Sequence, residues 1–524
     1  MIGAYYFGPY FNFVLIVGSL KGCRNLMSVT METSPGYRLL LLITMAGTTM
    51  LYSLTMTMVN IILPQLQGAL SASQDQISWV ITLNVLATAI ATPLTGSMVA
   101  IFGRRAVLIF CSASFTIATL ACGFANSLES LIFLRVLQGA AGAPLVPLSQ
   151  STLLQSYPRD MHAKVNGIYG MAVVVGPAIA PSLGGYLSEV YDWRWVFFMM
   201  VPIGIFSILG NMRYVKDAGR ENNYKFDYLG FTLFSIAIVC LQLILDRGER
   251  EDWMESIYII SLVTFMAVAF YMFVTNTAFT RQPYIDPRIF LNRNYVLGVI
   301  LVFVYGSLNF TPLVLLPSML QSLQGYPDLL IGWILAMRGV GMILGFFIAA
   351  RMGRFDPRVG MVIGMACIGL SGWLMSLYDL NVSLSAVSWA SGLQGFGCGI
   401  LWVPLAVITF STIPDYLFPT ASAFFHLLRN LGTSVFVAIS VTLLIRTSKI
   451  SYSELMESIT PYEERLRFPN VVGDGDHDWT DSLVNLVSEV TRQSSMIGYD
   501  NIFYFYALTC LIALPVLSLV TVKK

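Results

Sequence analysis

A few charged side chains lie inside runs that are otherwise apolar, and they are the residues that could do chemistry. Arg135 lies in the run Leu131–Gln150, and Gln138 and Gly139 follow it. An ionised side chain inside a bilayer costs about 3 kcal/mol or more, so Arg135 is expected to face a partner or a water-filled cavity. The small residues behind it allow a neighbouring helix to approach closely. The pattern predicts a transport pathway rather than a catalytic centre.

Other ionisable residues share this setting. Arg338 lies within a later apolar run, and His426 and Arg429 lie one helical turn apart in another, so the last two share a helix face. An imidazole titrates near physiological pH, which makes His426 a candidate for proton coupling. Asp246 ends a further run beside Arg247, which can neutralise it. Ordinary packing is the alternative for each group, and Arg429 can also reach the membrane interface.

The composition is that of a membrane protein. Of the 524 residues, 56% are hydrophobic and 11% are charged, whereas soluble domains carry roughly 25% charged residues. The net charge of +1 gives no reason to expect a nucleic-acid partner. The seven cysteines have neither metal-ligand spacing nor the pattern of a disulfide framework. Because no paired carboxylates, metal cluster or nucleophile triad stands out, we predict no enzymatic activity, no metal and no cofactor.

The apolar residues fall into fourteen runs, each near the length that a bilayer demands. The runs cover residues 38–64, 77–100, 105–125, 130–155, 164–187, 194–213, 228–246, 256–276, 295–317, 328–351, 360–378, 384–411, 419–446 and 501–521. The sequence therefore predicts an all-α polytopic membrane protein with fourteen transmembrane helices.

Lysine and arginine are distributed unevenly between the loops. One set of alternate loops holds fourteen of them and the other set holds three, and the positive-inside rule places the richer set in the cytoplasm. Both termini then lie in the cytoplasm, and the long connection 447–500 lies outside. Residues 4–20 are short for a span and lack the features of a signal peptide. We therefore expect 1–37 to be a cytoplasmic segment, or to include a start assigned too early, rather than an extra span.

The outer connection has two features of its own. An acidic cluster at 474–478 does not fit the spacing of a standard calcium loop, so a solvated turn is expected there. Apolar residues near helical spacing over 482–493 predict a short helix or a partner surface.

Several short motifs lie at the ends and kinks of the runs. They include Asn60, Pro64, Gly96, Gly103, Arg104, Arg105, Gly176, Pro177, Gly184 and Gly185. The glycine and arginine loop makes a tight cytoplasmic turn whose arginines clamp neighbouring helix ends or simply enforce orientation. Glycine and proline in the fifth run weaken its helix and leave few side-chain atoms on its surface. This permits either motion against a neighbouring helix or simply close packing with it.

Two further motifs are the most specific. They are Trp-Arg-Trp…Pro-Ile-Gly at 193–204 and Leu-Asp-Arg-Gly…Asp-Trp at 245–253. Together with the Arg135 run, the ordered motifs resemble the major facilitator superfamily over about residues 35–521. More narrowly, they resemble its fourteen-span drug:proton antiporters of the EmrB/QacA type, and they are closer to EmrB.

The resemblance implies a major facilitator bundle with a defined division of the chain. A six-helix half at 38–213 is followed by a two-helix insertion at 214–276, a second six-helix half at 277–521 and a cytoplasmic tail at 522–524. In this superfamily the motif around Arg135 couples protons to transport, and the fifth-run motif marks exporters. No ATP-binding motif is present in the sequence, so the energy is expected to come from an ion gradient.

The sequence departs from the family pattern at three places. Thr55 stands where the family often has an intramembrane aspartate. Ala100 and Ile101 stand where the loop usually has an aspartate and a basic residue, and Ala180 replaces a common second glycine. The first departure removes the usual acidic partner of Arg135. That arginine must then work with water, backbone, a polar neighbour, the substrate or another carboxylate.

The implied function is proton-driven multidrug efflux of amphiphilic compounds by a multi-pass protein of the bacterial inner membrane. Deep arginines without deep carboxylates favour neutral or anionic amphiphiles over lipophilic cations. The implied partners are the substrate, protons, the lipid bilayer, a periplasmic adaptor protein and an outer-membrane channel, with 447–500 as a candidate adaptor surface. An exporter of a dedicated metabolite, such as a siderophore or antibiotic, is the main alternative. An importer and a non-transporting receptor or scaffold are the others.

Overall fold

The computed structural model describes residues 35–216, 225–280, 282–352, 356–458 and 479–519. The predicted segment ahead of residue 35 and the acidic cluster at 474–478 lie outside the described residues. Within the described residues the chain is helical and contains no strand.

The α-helices are numbered here in chain order. They are α1 (Pro35–Ile61), α2 (Leu63–Ala69), α3 (Gln74–Ala91), α4 (Leu94–Phe102), α5 (Arg104–Gly123), α6 (Leu128–Gly142), α7 (Leu145–Ser156), α8 (His162–Val190), α9 (Arg194–Phe198), α10 (Met200–Tyr214), α11 (Tyr228–Arg247), α12 (Ile257–Phe279), α13 (Arg293–Gln324), α14 (Asp328–Arg351), α15 (Pro357–Met375), α16 (Leu384–Phe410), α17 (Phe418–Ser458) and α18 (Trp479–Ser518). Thirteen helical segments of the described chain are long and apolar enough to cross a bilayer, and the bent pair α3–α4 makes a fourteenth. The predicted all-α membrane protein with fourteen spans is confirmed.

Helix boundaries follow from local sequence. Ser73 precedes α3 in a capping box: its hydroxyl accepts from the backbone N–H of Gln76, whose side chain accepts from the N–H of Ser73. Between α4 and α5, Gly103 has a φ of 82°, a left-handed conformation that glycine adopts without the strain of a Cβ. The chain can therefore reverse sharply there and begin α5 at Arg104.

Two of the predicted spans are interrupted rather than continuous. The run predicted at 77–100 bends by 54° between α3 and α4, next to Pro93. The run predicted at 130–155 is broken between α6 and α7, at Pro144. Proline has no backbone N–H to donate, and its ring clashes with the preceding turn of a helix, which explains both interruptions.

The last two long helices extend well beyond the spans predicted for them at 419–446 and 501–521. α17 contains 41 residues and α18 contains 40. At about 1.5 Å per residue each is about 60 Å long, twice the roughly 30 Å of the hydrocarbon core. The helix expected over 482–493 is therefore part of one continuous helix, α18, rather than a separate element.

Apolar side chains form separate cores in the two parts of the chain. One core draws its residues from Leu41 to Val215, and two others draw nearly all of theirs from Ile289 to Leu517. We call the first part, α1–α10, the N-terminal body and the second, α13–α18, the C-terminal body. A fourth cluster joins α11 and α12 to Ala89 of α3 and Leu427 of α17. The hairpin α11–α12 therefore packs against both bodies.

The two bodies meet at one end of the bundle, which we call the closed end. Gly167 of α8 packs against Ala350 of α14 there. The hydroxyl of Ser422 on α17 also donates to the carbonyl of Pro147 on α7, at 3.0 Å. Farther along α8, toward the opposite end of the bundle, a Cβ added to Gly185 would meet no atom within 4 Å. The contact between the bodies thus extends along α8 from Gly167 to Ala178, which packs against Gly339 of α14, and Gly185 lies beyond it.

Adding a methyl group at Gly167 is predicted to weaken the closed end. The new Cβ would lie 2.6 Å from the Cβ of Ala350, closer than real Cβ atoms come, and overpacking of this kind costs about 1–3 kcal/mol. We expect Gly167→Ala to lower the thermal unfolding temperature of the purified protein, whereas Gly185→Ala, on the same helix, should not. Equal unfolding temperatures for the two variants would contradict this packing.

Candidate transport site

Arg135 is enclosed within the N-terminal body, and only 1% of its surface is exposed. Its guanidinium donates to Oε1 of Gln138, one turn along α6, and Gln138 donates to the hydroxyl of Thr119 at 2.6 Å. Asn84 of α3 donates to the backbone carbonyl of Arg135 at 2.6 Å. The backbone carbonyl of Arg135 thus bonds to α3, and its side chain reaches α5 through Gln138.

Thr55 does not take over the role of the aspartate that is common in the family. Its hydroxyl is buried and donates to the carbonyl of Leu51 within α1, at 2.7 Å. The Nε of Arg135 is buried without a hydrogen-bond partner. A buried donor without an acceptor costs free energy. The site around Arg135 therefore lacks an acceptor for this Nε.

A similar arginine network stabilises the C-terminal body. Arg338 of α14 donates from Nε to Oε1 of Gln394 at 2.6 Å. Its Nη2 donates to the carbonyl and side-chain oxygens of Asn309, at 2.6 and 2.7 Å. The Gln-Gly pair at 394–395 repeats the pair at 138–139, and in both bodies the glutamine accepts from an arginine. Arg338 is therefore a well-bonded link between α13, α14 and α16.

Arg429 has a different environment, because it lies between the two bodies. It is only partly buried, and its guanidinium carbon lies 5.8 Å from the ring centre of Trp402. The titratable side chains that interact with its charge are Tyr52 of α1, Tyr169 of α8 and Tyr305 of α13. Arg429 thus lies near residues of both bodies.

Few acceptors satisfy the guanidinium of Arg429. One Nη donates to the side chain of the adjacent Asn430 at 3.2 Å, and Nε is buried with no hydrogen-bond partner. No aspartate or glutamate is among the buried residues of the described chain. Arg429 and Arg135 therefore each make one side-chain hydrogen bond to a protein oxygen, against three for Arg338, and of the first two only Arg429 is partly exposed.

His426 lies one turn from Arg429, toward the closed end. It is 2% exposed, and its Nε2 lies 2.7 Å from Oε1 of Gln150 on α7. The rings of Trp402 and Phe425 pack against the imidazole, while its Nδ1 is buried without a partner. His426 thus contributes a polar contact between the two bodies.

Asp246 and Arg247 lie at the C-terminal end of α11, away from this centre. Thr82 donates to Asp246 at 2.7 Å. Arg247 pairs with Asp75 at 2.7 Å and lies over the ring of Trp79, at 4.2 Å, whereas its distance to Asp246 is 4.0 Å. Asp75 is therefore the closer partner of Arg247. These contacts fasten the hairpin to α3.

The loop motif lies at the closed end. Gly96 of α4 abuts Thr420 of α17, so a side chain there would collide with the other body. Arg104 is buried, and Arg105 donates to the carbonyl of Met212 near the end of α10, at 2.6 Å. Arg105 thus bonds to the end of a neighbouring helix.

The remaining motif residues follow α1 and α8. Gly176 and Gly184 face α1, where an added Cβ would lie 3.1 Å from Met50 and 3.5 Å from Met58. Three others stand at partly or fully exposed positions or at the start of a helix: Pro177 within α8, Asn60 near the end of α1 and Pro64 at the beginning of α2. Gly139 packs instead against the backbone of Asn84.

Sequence reasoning missed five residues of this centre. They are Tyr52, Gln150, Tyr169, Tyr305 and Trp402. A tyrosine in the middle of a predicted span is a usable signal, because its hydroxyl needs a partner there. The contact between Gln150 and His426 joins residues 276 positions apart, and no local pattern indicates it.

The two environments of the deep arginines predict different costs of removal. Arg338→Gln should leave acceptors on Gln394 and Asn309 unsatisfied, which costs about 1–3 kcal/mol per buried group. Arg429→Gln removes few bonds and should leave stability nearly unchanged. Thermal unfolding of both purified variants checks this; a larger loss for Arg429→Gln than for Arg338→Gln would overturn the assignment.

Comparison with known proteins places this architecture in a family. The model of the Major Facilitator Superfamily matches residues 45–437. The multidrug export protein EmrB of Escherichia coli K12 is 31% identical over 474 residues, which is 88% of this chain and 90% of that protein. The fatty acid resistance protein FarB of Neisseria gonorrhoeae is 32% identical over 475 residues, with 88% and 92% covered.

Solved structures agree on the fold. The crystal structure of the human organic anion transporter MFSD10 aligns with a TM-score of 0.64 at 12% identity, over 93% of this chain and all of that one. The proton:xylose symporter XylE aligns with a TM-score of 0.58 at 13% identity, over 91% and 95%. With the matched family model and the EmrB relatives, these findings show that the chain belongs to the major facilitator superfamily, among its fourteen-span multidrug exporters of the EmrB type.

Proposed function

We propose that this transporter exports amphiphilic compounds from the cytoplasm in exchange for protons, as a multidrug efflux pump of a bacterial inner membrane. One observation carries the proposal. Two helical bodies meet at one end of the bundle, and a partly buried arginine lies between them beside tyrosines of both. Opening that end and closing the other would expose the same site to each side in turn, which is alternating access.

The positive charges support a cytoplasmic location for the closed end. Arg104 and Arg105 join α4 to α5 there, Arg159 lies between α7 and α8, and Arg351 ends α14. The positive-inside rule assigns such loops to the cytoplasm. In this orientation both termini are cytoplasmic and the described state opens outward.

The central charges also bear on the substrate. Arg429 faces the space between the bodies, and the buried part of the described chain contains no carboxylate to offset it. Neutral or anionic amphiphiles should therefore be preferred to lipophilic cations. The name of FarB, one of the relatives, refers to fatty acids, which are anionic amphiphiles, and it agrees with this preference.

His426 is our choice for the proton-binding side chain. A second proton would place an N–H at its buried Nδ1, which has no acceptor, beside the cation of Arg429. The other side chains against the imidazole are Gln150, Trp402 and Phe425, and none is anionic. Protonation should therefore oppose the closed contact and favour its opening to the cytoplasm, where the proton is released.

Gradient-driven transport distinguishes the coupling candidates. In everted membrane vesicles with an acidic lumen, we expect the wild type to accumulate decyl sulfonate, a permanently anionic amphiphile, and a protonophore to abolish the accumulation. His426→Gln should keep downhill exchange but lose the response to the pH gradient. Asp246→Asn should keep both, and Arg135→Gln should lose both because Gln138, which bonds to Thr119 of α5, loses the guanidinium that positions it.

Two outcomes would contradict this assignment. Accumulation that a protonophore leaves unchanged would exclude proton coupling. A His426→Gln variant that still responds to the gradient, together with an Asp246→Asn variant that does not, would move the proton site to Asp246.

The long helices support a proposed adaptor contact. The parts of α17 and α18 beyond the membrane present exposed apolar side chains at Ile450, Val484 and Val487. In the proposed orientation these parts lie in the periplasm, where an adaptor leading to an outer-membrane channel would bind. Val484 and Val487 lie one helical turn apart on α18, so they offer such a partner a shared apolar face.

A charge on this surface should separate export by cells from transport by the isolated protein. We expect Val484→Glu together with Val487→Glu to reduce resistance of intact cells to the level of a strain lacking the pump. The same double variant should keep wild-type flux in proteoliposomes, where no adaptor is present. Ser488→Glu, an exposed polar position between them and the membrane, is the matched control. Resistance unaffected by the double variant would refute the contact.

A further inference from the structure

We infer that Arg429 binds the anionic headgroup of the substrate, in an aromatic cage that Trp402 and Tyr305 form on one side and that Tyr52 and Tyr169 of the other body approach. The inference rests on the proposed export function and names the substrate class that its central site takes: amphiphiles with a carboxylate, sulfonate or phenolate group. The apolar part of such a molecule would lie along the aromatic rings.

The hydrogen bonds of the deep arginines select Arg429. Arg338 makes three bonds to protein oxygens, all at 2.7 Å or less, and Arg135 is enclosed at 1% exposure. Arg429 makes one long bond of 3.2 Å, to Asn430, and holds a buried Nε without a partner. Charge-assisted bonds to an anionic oxygen are the interactions that a guanidinium forms most strongly. Arg429 is the one of the three that combines an unpartnered donor with partial exposure between the bodies.

Exposure shows from which side a ligand reaches Arg429. His426, one turn toward the closed end, is 2% exposed, and its contact with Gln150 closes the floor beneath the arginine. Arg429 itself is partly exposed, and so is Thr433, one turn in the other direction. A ligand therefore approaches from the open end of the bundle and stops at the contact between the bodies.

The aromatic side chains suit the rest of such a ligand. The rings of Tyr305 and Trp402 lie 5.0 Å apart and form a continuous apolar wall. The hydroxyl of Tyr169 is already engaged by Thr49, at 2.6 Å, so this tyrosine offers mainly its ring. An alkyl or aryl group can pack on these faces, whereas a cationic headgroup would meet the charge of Arg429.

Both bodies contribute to the cage. Tyr52 and Tyr169 belong to the N-terminal body, and Tyr305, Trp402 and Arg429 belong to the C-terminal body. A bound amphiphile would therefore lie between the two bodies. It would also supply the counter-charge that Arg429 lacks, and this would lower the cost of enclosing the arginine when the open end closes.

Binding of three amphiphiles with the same ten-carbon chain tests the inference. The probes are decyl sulfonate, 1-decanol and decyltrimethylammonium, measured against the wild type in lipid nanodiscs, with empty nanodiscs as the background. We expect decyl sulfonate to bind about tenfold or more tightly than decanol, and decyltrimethylammonium to bind most weakly. Equal affinity for the sulfonate and the alcohol would overturn the inference.

Variants assign the preference to one residue. Arg429→Gln should bind the sulfonate and the alcohol alike, and Arg429→Lys should retain part of the preference. Arg446→Gln, which removes an exposed arginine of the same helix, should behave as the wild type. Thermal unfolding confirms that each variant is folded. A sulfonate preference that survives in folded Arg429→Gln would overturn the assignment.

The same experiment separates this inference from the proposed function. If Arg429-dependent binding is found but the protein transports no probe in everted vesicles, the export function fails and the anion site stands. If transport is proton-driven but indifferent to Arg429, the export function stands and the anion site fails.

Discussion

The constraint on which the rest of this structure depends is the burial of cations without buried carboxylates to pair them. Arg338 meets it with amide and carbonyl oxygens of two neighbouring helices, whereas Arg135 donates to Gln138 of its own helix and is enclosed within its body. Arg429 remains with few acceptors, at the place where the two bodies face each other. Of the three deep cations, Arg429 is therefore the one that lies between the bodies, with a single hydrogen bond to the protein.

This arrangement explains how each body can be rigid while the two bodies move relative to each other. Each body has its own apolar core, while the contact between bodies relies on small residues such as Gly167 and on a few polar bonds, among them that of His426 with Gln150. Such a contact can separate without disturbing either core. The hairpin α11–α12 joins both bodies along their sides, where the Arg247–Asp75 pair holds it to α3.

The spans and the family could be predicted from the sequence because their signals are local. A run of about twenty apolar residues specifies a membrane helix, and Arg135 and Gln138 are close enough along one helix to bond directly. Trp402 and the three tyrosines near Arg429 come from four different helices, so only the tertiary arrangement brings them together. Pro93 and Pro144 could have predicted the two helix breaks from the sequence. A hydropathy pattern, however, indicates the length of a span and not whether its helix is continuous. The pairing of Arg247 with Asp75, across 172 positions, had no local sign.

The central claim is that an anionic amphiphile exchanges for protons at a site between the bodies. Its most direct test is a measurement of the proton movement that substrate entry causes. Proteoliposomes enclose a pH-sensitive dye, start without a pH gradient, and receive decyl sulfonate outside. The account predicts that the lumen becomes alkaline as protons leave in exchange for the entering anion, and that Arg429→Gln proteoliposomes show no such change. Entry of decyl sulfonate without any change in lumenal pH would contradict it.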